Sequence, residues 1–405
     1  MKKKGVEIMK RMKNRKKWSA NMNNEVMNGL DNLQAIRDAV GGRRIGLVTN
    51  PSAIDRKGNA AVDVLPEICN ITAFFALEHG IRGDLQPCVK VNDEIDPKTG
   101  KKVFALFASH LTAEQLEDVD VIIYDIQDVG GRVFSFLHTV ATLIEDCIAF
   151  DRELIVLDRI NPLGGESFEG VVPEPEFDKQ RWGWGVTTRF GLTVGEYARM
   201  VNARYFENRG RLTVIPCANW HRDMMFEDCG LFWVNPAPNL PNPQSALIYA
   251  GSVAFGQTNI SEARGTTRPY EMYGAPFVDG DKIAEKLNAL DLPGVLFRPC
   301  AFISVYNPFK KYLGECCRGI QLFISDRRKF NSFETGMWMY EIFREYCPEF
   351  EVPFANGVCS GEMFDSGLGT SDWRTGKLST AQFIERGRRE SAEYKKSIQE
   401  FLLYR

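Results

Sequence analysis

Four short apolar runs mark the first half of the chain, and each gives out on an acidic or amide residue. IGLVTN at 45–50 ends on Asn50, ITAFFAL at 71–77 runs into Glu78, VDVIIYD at 119–125 ends on Asp125, and ELIVLD at 153–158 ends on Asp158. Short β-branched runs separated by helix-length segments read as parallel strands buried on both faces. In an open α/β sheet the ligand crevice lies beyond the carboxyl ends of the strands, so the four polar endings are expected to converge on one rim. Between and after them the pattern predicts helices over 29–40, 112–118, 133–150 and 193–207. Thr193 and Glu196 form a T-x-x-E capping box for the last. This half reads as a doubly wound α/β fold.

From residue 235 the texture changes. NPAPNLPNPQSA holds four prolines in nine residues, which excludes regular structure there and suits a crossing between domains. Beyond it the pattern predicts helices over 244–254, 281–289, 332–346 and 380–402 and strands over 295–305 and 318–325, an α+β mixture. A chain of 405 residues exceeds one ordinary core and has material for two. The expected division is a basic, disordered extension at 1–28, a catalytic α/β domain at 29–235 and a smaller α+β domain at 236–405.

Composition narrows the function classes. Net charge is −3, but residues 2–17 hold nine Lys/Arg against one Glu, and setting that +8 aside leaves about −11 on the rest. An acidic body grips a phosphate backbone poorly, so no nucleic-acid partner is expected. No apolar stretch follows the basic head, which fits neither a secretory signal nor an anchor, and no other segment reaches the ~18 apolar residues of a membrane span. The chain is therefore expected to be soluble and cytoplasmic, with no membrane partner. Ten cysteines without CxxC spacing read as buried free thiols. The four histidines (79, 110, 138 and 221) form no HExxH and no Cys/His cluster, so no metal is expected. The first strand is followed by Asn50-Pro51-Ser52-Ala53 where a dinucleotide site would need G-x-G-x-x-G, and no cofactor is expected.

The chemistry is expected at the strand exits. Glu78-His79-Gly80-Ile81-Arg82-Gly83-Asp84 follows the second run, and a carboxyl at a sheet rim with an apolar strand behind it suits a general acid. Its structural alternative is a Glu78–Arg82 pair that pins the loop. Asp125 and Asp128 can bond sugar hydroxyls and Arg132 an anion, while Gly130-Gly131 admits a close ligand; the alternative is an Asp128 helix cap paired with Arg132. Asp158 and Asn161 form a third exit, leading to Glu169 in a Gly-flanked loop, free to enter a cleft or simply solvated. Asn239 lies in the Pro-rich crossing. Asn259, Glu262, Arg264 and Arg268 sit in a loop fit for a polyhydroxylated anion, or else closed by an internal Glu–Arg pair. Trp182, Trp184, Trp220 and Trp233 can stack on sugar faces or fill the core.

Taken in order, GLVTNPSAID (46–55), EHGIRGD (78–84), VNDEIDPKTGKKVFALF (91–107), DVDVIIYDIQDVGGR (118–132), VLDRINPLGG (156–165), LTVGE (192–196), NPAPNLP (235–241) and NISEARGTTRPYE (259–271) resemble the exo-acting β-N-acetylmuramidases of the NamZ/YbbC type. The resemblance runs from about residue 29 to the C-terminus. It implies a Rossmann-like N-terminal domain, a smaller C-terminal domain and a cleft between them. It also implies removal of a terminal β-1,4-linked N-acetylmuramic acid from the non-reducing end of peptidoglycan-derived muro-oligosaccharides, with no cofactor. Glu78 matches a proposed family catalytic glutamate and Glu169 a second, making Glu78 the acid and Glu169 its partner, with Glu262 in reserve. Asn50, His79, Arg82, Asp125, Asp128, Arg132, Asp158, Asn161, Asn239, Asn259, Glu262 and Arg264 become substrate-binding candidates, with Arg82, Arg132 or Arg264 meeting the lactyl carboxylate.

The chain departs from the family pattern at Phe190, where His is usual, at Ala237, where Ser is common, and at Ala263, where Gly is common. Phe190 raises the alternative of a related β-N-acetylhexosaminidase with another sugar preference, and a glycan-binding protein without turnover is the reading from a different class.

Overall fold

The computed structural model describes residues 24–179 and 182–405, so the basic head lies outside the described residues. The four apolar runs become strands β1 (Arg44–Thr49), β2 (Asn70–Ala76), β5 (Val121–Asp125) and β6 (Glu153–Leu157) of one sheet. Three strands the pattern did not announce complete it: β3 (Glu94–Ile95), β4 (Lys102–Ala105) and β7 (Arg211–Ile215), in the order β3-β4-β2-β1-β5-β6-β7. All neighbours are parallel except β3 against β4. The three were hidden because they are short or lie at edges, where an unbroken apolar run is not required.

Period-two alternation divides the core between the sheet's two faces. Leu47 and Phe74 point to one side, with Ile36 and Val40 of α1 (Leu33–Val40) beneath them. Val48 and Phe75 point to the other, under α3 (Ser135–Ala149) and α4 (Val194–Phe206), which follow the short α2 (Ala61–Val64) in the chain. Each such fully buried Phe or Leu contributes about 1.5–3 kcal/mol. The capping box of α4 forms as expected: Glu196 N–H donates to Thr193 Oγ1 at 3.2 Å, and Thr193 N–H to Glu196 Oε2 at 3.0 Å. The expected helix over 112–118 is instead a series of turns. A segment this short is helical only where tertiary packing supports it, and here the chain ahead of it is tied by the Leu111 N–H to Asp146 at 2.8 Å.

The second half holds α5 (Pro243–Ser252), β8 (Met272–Ala275), α6 (Gly280–Asn288), β9 (Val295–Ile303), β10 (Cys316–Ile324), α7 (Ser332–Tyr346), α8 (Gly361–Leu368) and α9 (Thr380–Ser397). Its antiparallel sheet runs β8-β10-β9. Pro243 closes the proline run as the first residue of α5, where its missing N–H is no loss, and Asn242 caps that helix through Ser245 N–H at 2.8 Å. Helices α5 and α7 touch backbone to backbone: a Cβ on Gly251 would lie 1.8 Å from Ser332 O, and one on Gly336 2.0 Å from Gly251 O. Two separate cores were anticipated. One apolar cluster instead runs from the α3/α4 face of the large sheet through Phe255, Tyr340 and Phe343 into the small domain. The expectation of buried thiols holds for Cys147, Cys217, Cys229, Cys317 and Cys347, whereas Cys88 and Cys316 are exposed and none is in a disulfide.

Candidate active site

The sheet order places the return of the chain, from β4 across to β5, beside β1, so the carboxyl ends of β2, β1 and β5 surround a crevice. A cavity of about 350 Å³ opens there between the two domains. The large domain contributes Glu78, His79, Phe134, Phe136 and Trp182, and the proline-rich crossing contributes Ala237 and Asn239. The small domain contributes Tyr249, Gln257, Arg264, Tyr270 and Phe309, with Met363 and Gly367 from α8.

Glu78 is delivered directly by its strand. β2 ends at Ala76, Leu77 is fully buried, and the chain then turns through left-handed backbone at His79 (φ 81°) and Gly80 (φ 75°). A left-handed non-glycine residue costs on the order of 1 kcal/mol or more, a strain characteristic of functional turns. Glu78 Oε1 accepts from Cys88 N–H at 3.2 Å, and Oε2 lies 3.9 Å from His79 Nε2. The other ring nitrogen, Nδ1, is 3.2 Å from Leu85 O, so it bears the hydrogen and leaves the Nε2 lone pair facing Glu78. Burial holds the His79 imidazole below its ordinary value, although the neighbouring carboxylate opposes that, and the ring is neutral at pH 7. The alternative Glu78–Arg82 pair does not form: Arg82 Nε donates to Asp96 at 2.6 Å and Nη2 bonds Asp63 at 3.2 Å.

Of the residues singled out from the sequence, Glu78, His79, Asn239 and Arg264 meet in this cavity, with Glu262 directly behind Arg264. Most of the others build its frame. Asn50 Nδ2 donates to Pro236 O at 3.2 Å and so ties the end of β1 to the crossing. Asp125 accepts both Arg159 Nε (2.5 Å) and Nη2 (3.1 Å) in a fully buried fork between two strand exits. Asp158 accepts from Thr193 Oγ1 at 2.7 Å, Gly195 N–H at 2.8 Å and Tyr404 O–H at 2.5 Å, joining sheet, α4 and C-terminus. Asn161 Nδ2 bonds Leu192 O at 2.9 Å, and Asn259 bridges Glu349 O and Glu351 N–H.

Asp128 is neither a helix cap nor a partner of Arg132. Its Oδ1 accepts Gly130 N–H at 2.7 Å, and Arg132 reaches instead to Ser366 O (3.1 Å) and Gly367 O (2.8 Å) at the end of α8. Glu169 is not delivered to the cavity. Its Oε1 accepts from Arg189 Nη1 at 2.7 Å and its Oε2 from Phe333 N–H at 3.2 Å, at the start of α7. The Gly-flanked loop expected to free it is zipped to Arg189 by two backbone hydrogen bonds, which turn the carboxyl toward the helix N-terminus.

The internal Glu–Arg pair offered as the alternative for this loop is formed by Glu262 and Arg264, and Glu262 is fully buried. Among the four tryptophans, Trp182 lines the cavity, while Trp184, Trp220 and Trp233 pack edge-on against Tyr205, Tyr404 and Phe226. Phe190 is fully buried against Tyr197, away from the cavity lining, so the exchange noted there does not alter the wall; Ala237 does lie on it. Sequence reasoning missed Tyr249, Phe309 and Met363, which sit in apolar or aromatic segments indistinguishable from core. It also missed Lys311, which sits in a Lys-Lys pair that reads as solvated. Among the described residues no group of three or more His, Cys, Asp or Glu is placed to hold a metal ion, and no helix is long and apolar enough to cross a membrane.

Comparison with known proteins gives a consistent picture. Residues 45–244 match the family model described as "Exo-beta-N-acetylmuramidase NamZ, N-terminal" and residues 247–404 the corresponding C-terminal model. The chain is 36% identical over 384 residues to the peptidoglycan β-N-acetylmuramidase NamZ of Bacillus subtilis (strain 168), covering 93% of this chain and 89% of that protein. Two crystal structures of DUF1343 family proteins from Bacteroides fragilis NCTC 9343 share the fold. One has a TM-score of 0.83 at 30% identity, covering 94% of this chain and 100% of that one. The other has a TM-score of 0.73 at 25% identity, covering 94% and 99%.

Proposed function

The chain belongs to the exo-β-N-acetylmuramidase NamZ family, and from that premise we propose that it hydrolyses the β-1,4 bond of a terminal N-acetylmuramic acid at the non-reducing end of peptidoglycan fragments, with Glu78 as the proton donor. The observation that carries this reading is the position of Glu78: among the described residues it is the one carboxylate side chain in the cavity lining, set at the carboxyl end of β2 and 20% exposed. Cleavage of a glycosidic bond requires a proton on the leaving oxygen. The Cys88 N–H binds Oε1 at 3.2 Å, so Oε2, 3.9 Å from His79 Nε2, is the oxygen assigned to the transfer.

A two-carboxylate mechanism needs an opposing group, and the described residues of the cavity lining supply none. N-acetylmuramic acid brings its own nucleophile, the 2-acetamido oxygen. In the proposed first step that oxygen bonds to the anomeric carbon as the bond to the leaving oxygen breaks and Glu78 transfers its proton to the leaving group. Glu78, now ionised, then takes a proton from the water that opens the cyclic intermediate. Two displacements give net retention. Phe134, Phe136, Trp182 and Tyr270 offer apolar faces to the sugar ring.

The test is release of free N-acetylmuramic acid from the β-1,4 disaccharide of N-acetylmuramic acid and N-acetylglucosamine. Wild type is expected to release it and Glu78→Gln to be slower by ~10²–10⁴-fold, the usual contribution of a general acid. No release by folded wild type, or full activity in Glu78→Gln, would overturn the reading.

A further inference from the structure

Among the described residues Arg264 is the one Arg or Lys side chain in the cavity lining, and it is backed by an interior charge array. Glu262 is fully buried, with Oε1 2.6 Å from Arg264 Nε and Oε2 2.9 Å from Lys311 Nζ. Lys311 is fully buried as well, and its three ammonium hydrogens are all taken, by Glu262, by Phe255 O at 2.7 Å and by Ile260 O at 2.9 Å. Two cations therefore share one carboxylate. Because Lys311 has no exposed surface, the excess positive charge faces the cavity at Arg264, which is 12% exposed.

The geometry of Arg264 is fixed on the remaining sides. Its guanidinium carbon lies 4.8 Å from the Phe309 ring and 5.2 Å from the Tyr270 ring, contacts that hold the plane of the group. Glu262 Oε1 meets Nε at 2.6 Å as an ion pair whose alignment falls short of a hydrogen bond, and neither Nη atom donates a hydrogen bond to a described residue. A planar fork held this way matches a carboxylate. Arg82 and Arg132 are already committed, to Asp96 and Asp63 and to the α8 carbonyls.

We propose that Arg264 reads the lactyl carboxylate of the muramic acid residue, and that Lys311 acts through Glu262 as the positioning residue that holds Arg264 for that task. The proposal rests on the exo-muramidase reading, and it gives the site a basis for refusing N-acetylglucosamine, which has a hydroxyl where muramic acid has the acidic ether.

The test measures binding of N-acetylmuramic acid and of its lactyl amide by calorimetry, in wild type, Arg264→Met and Lys311→Met. Wild type is expected to prefer the acid by on the order of 100-fold, as for a desolvated charge pair. That preference should vanish in Arg264→Met and fall by roughly 10-fold in Lys311→Met, with affinity for the acid falling more than affinity for the amide in both. The double variant Lys311→Met/Glu262→Gln removes both interior charges together and should show the same fall should Lys311→Met alone not fold. Equal affinity of wild type for acid and amide, or an undiminished preference in Arg264→Met, overturns the role of Arg264. An undiminished preference in Lys311→Met, or in the double variant, overturns the positioning role. Disaccharide turnover is read separately: a wild type that prefers the acid but releases no sugar would sink the hydrolase reading and support this one.

Discussion

Replacing Glu169 by Gln separates a catalytic glutamate from a structural one. Glu169 and Arg189 are 6% and 3% exposed, paired at 2.7 Å, and the second carboxylate oxygen accepts the Phe333 N–H at 3.2 Å. Gln removes the charge and leaves one acceptor for two donors, so its amide nitrogen must face either the guanidinium or the helix N–H. Breaking a buried pair from one side typically costs 3–5 kcal/mol, and loss of the anion at the start of α7 adds about 0.3–1 kcal/mol. We expect Glu169→Gln to lose at least ~3 kcal/mol. At about 2–4 °C per kcal/mol for domains of 150–250 residues, that lowers Tm by roughly 6–12 °C. The folded enzyme should keep kcat within about threefold of wild type, because Glu169 does not line the cavity. Scanning calorimetry paired with N-acetylmuramic acid release well below the transition decides the matter. A variant that melts with wild type yet loses three orders of magnitude in kcat would refute this reasoning and restore Glu169 as the catalytic partner of Glu78.

Two further outcomes follow from buried groups. Asp128 Oδ2 has no partner, and burial pushes that carboxyl up to about 7. A folded value above the unfolded one means the contribution is fully present below about pH 4 and is lost as pH rises through 7. Asp128→Asn, which cannot ionise, should match wild type near pH 4 and exceed it at pH 8.5 by up to ~4 kcal/mol in urea denaturation; parallel stability profiles would contradict this. Arg132 is fully buried and binds the last carbonyls of α8, so Arg132→Met should cost ~3 kcal/mol and loosen the wall carrying Met363 and Gly367. Steady-state kinetics should then show KM rising more than kcat falls, and an unchanged KM would argue against that coupling.

The apolar runs by themselves determined the parallel sheet and its polar rim, because strands buried on both faces must be continuously apolar and must stop where the chain meets solvent or ligand. The same logic placed Glu78 at a strand end, and ordered motifs along the chain carried the family. What the sequence left open was which polar residues at that rim face the cavity and which face one another. Asp125 and Asp158 look as available as Glu78 in one dimension, yet one is closed by Arg159 and the other by Thr193 and Tyr404, partners that lie 34, 35 and 246 residues away. Glu169 looks free between glycines, and its fate is set by Arg189 and by a helix start 164 residues further on. Lys311, in a Lys-Lys pair, gives no sign of being interior. Local pattern records burial and turn geometry, which act over a few residues. Charge pairing acts through space, so only the packing of the small domain against the sheet decided which acid stays open and which arginine keeps its fork for a ligand.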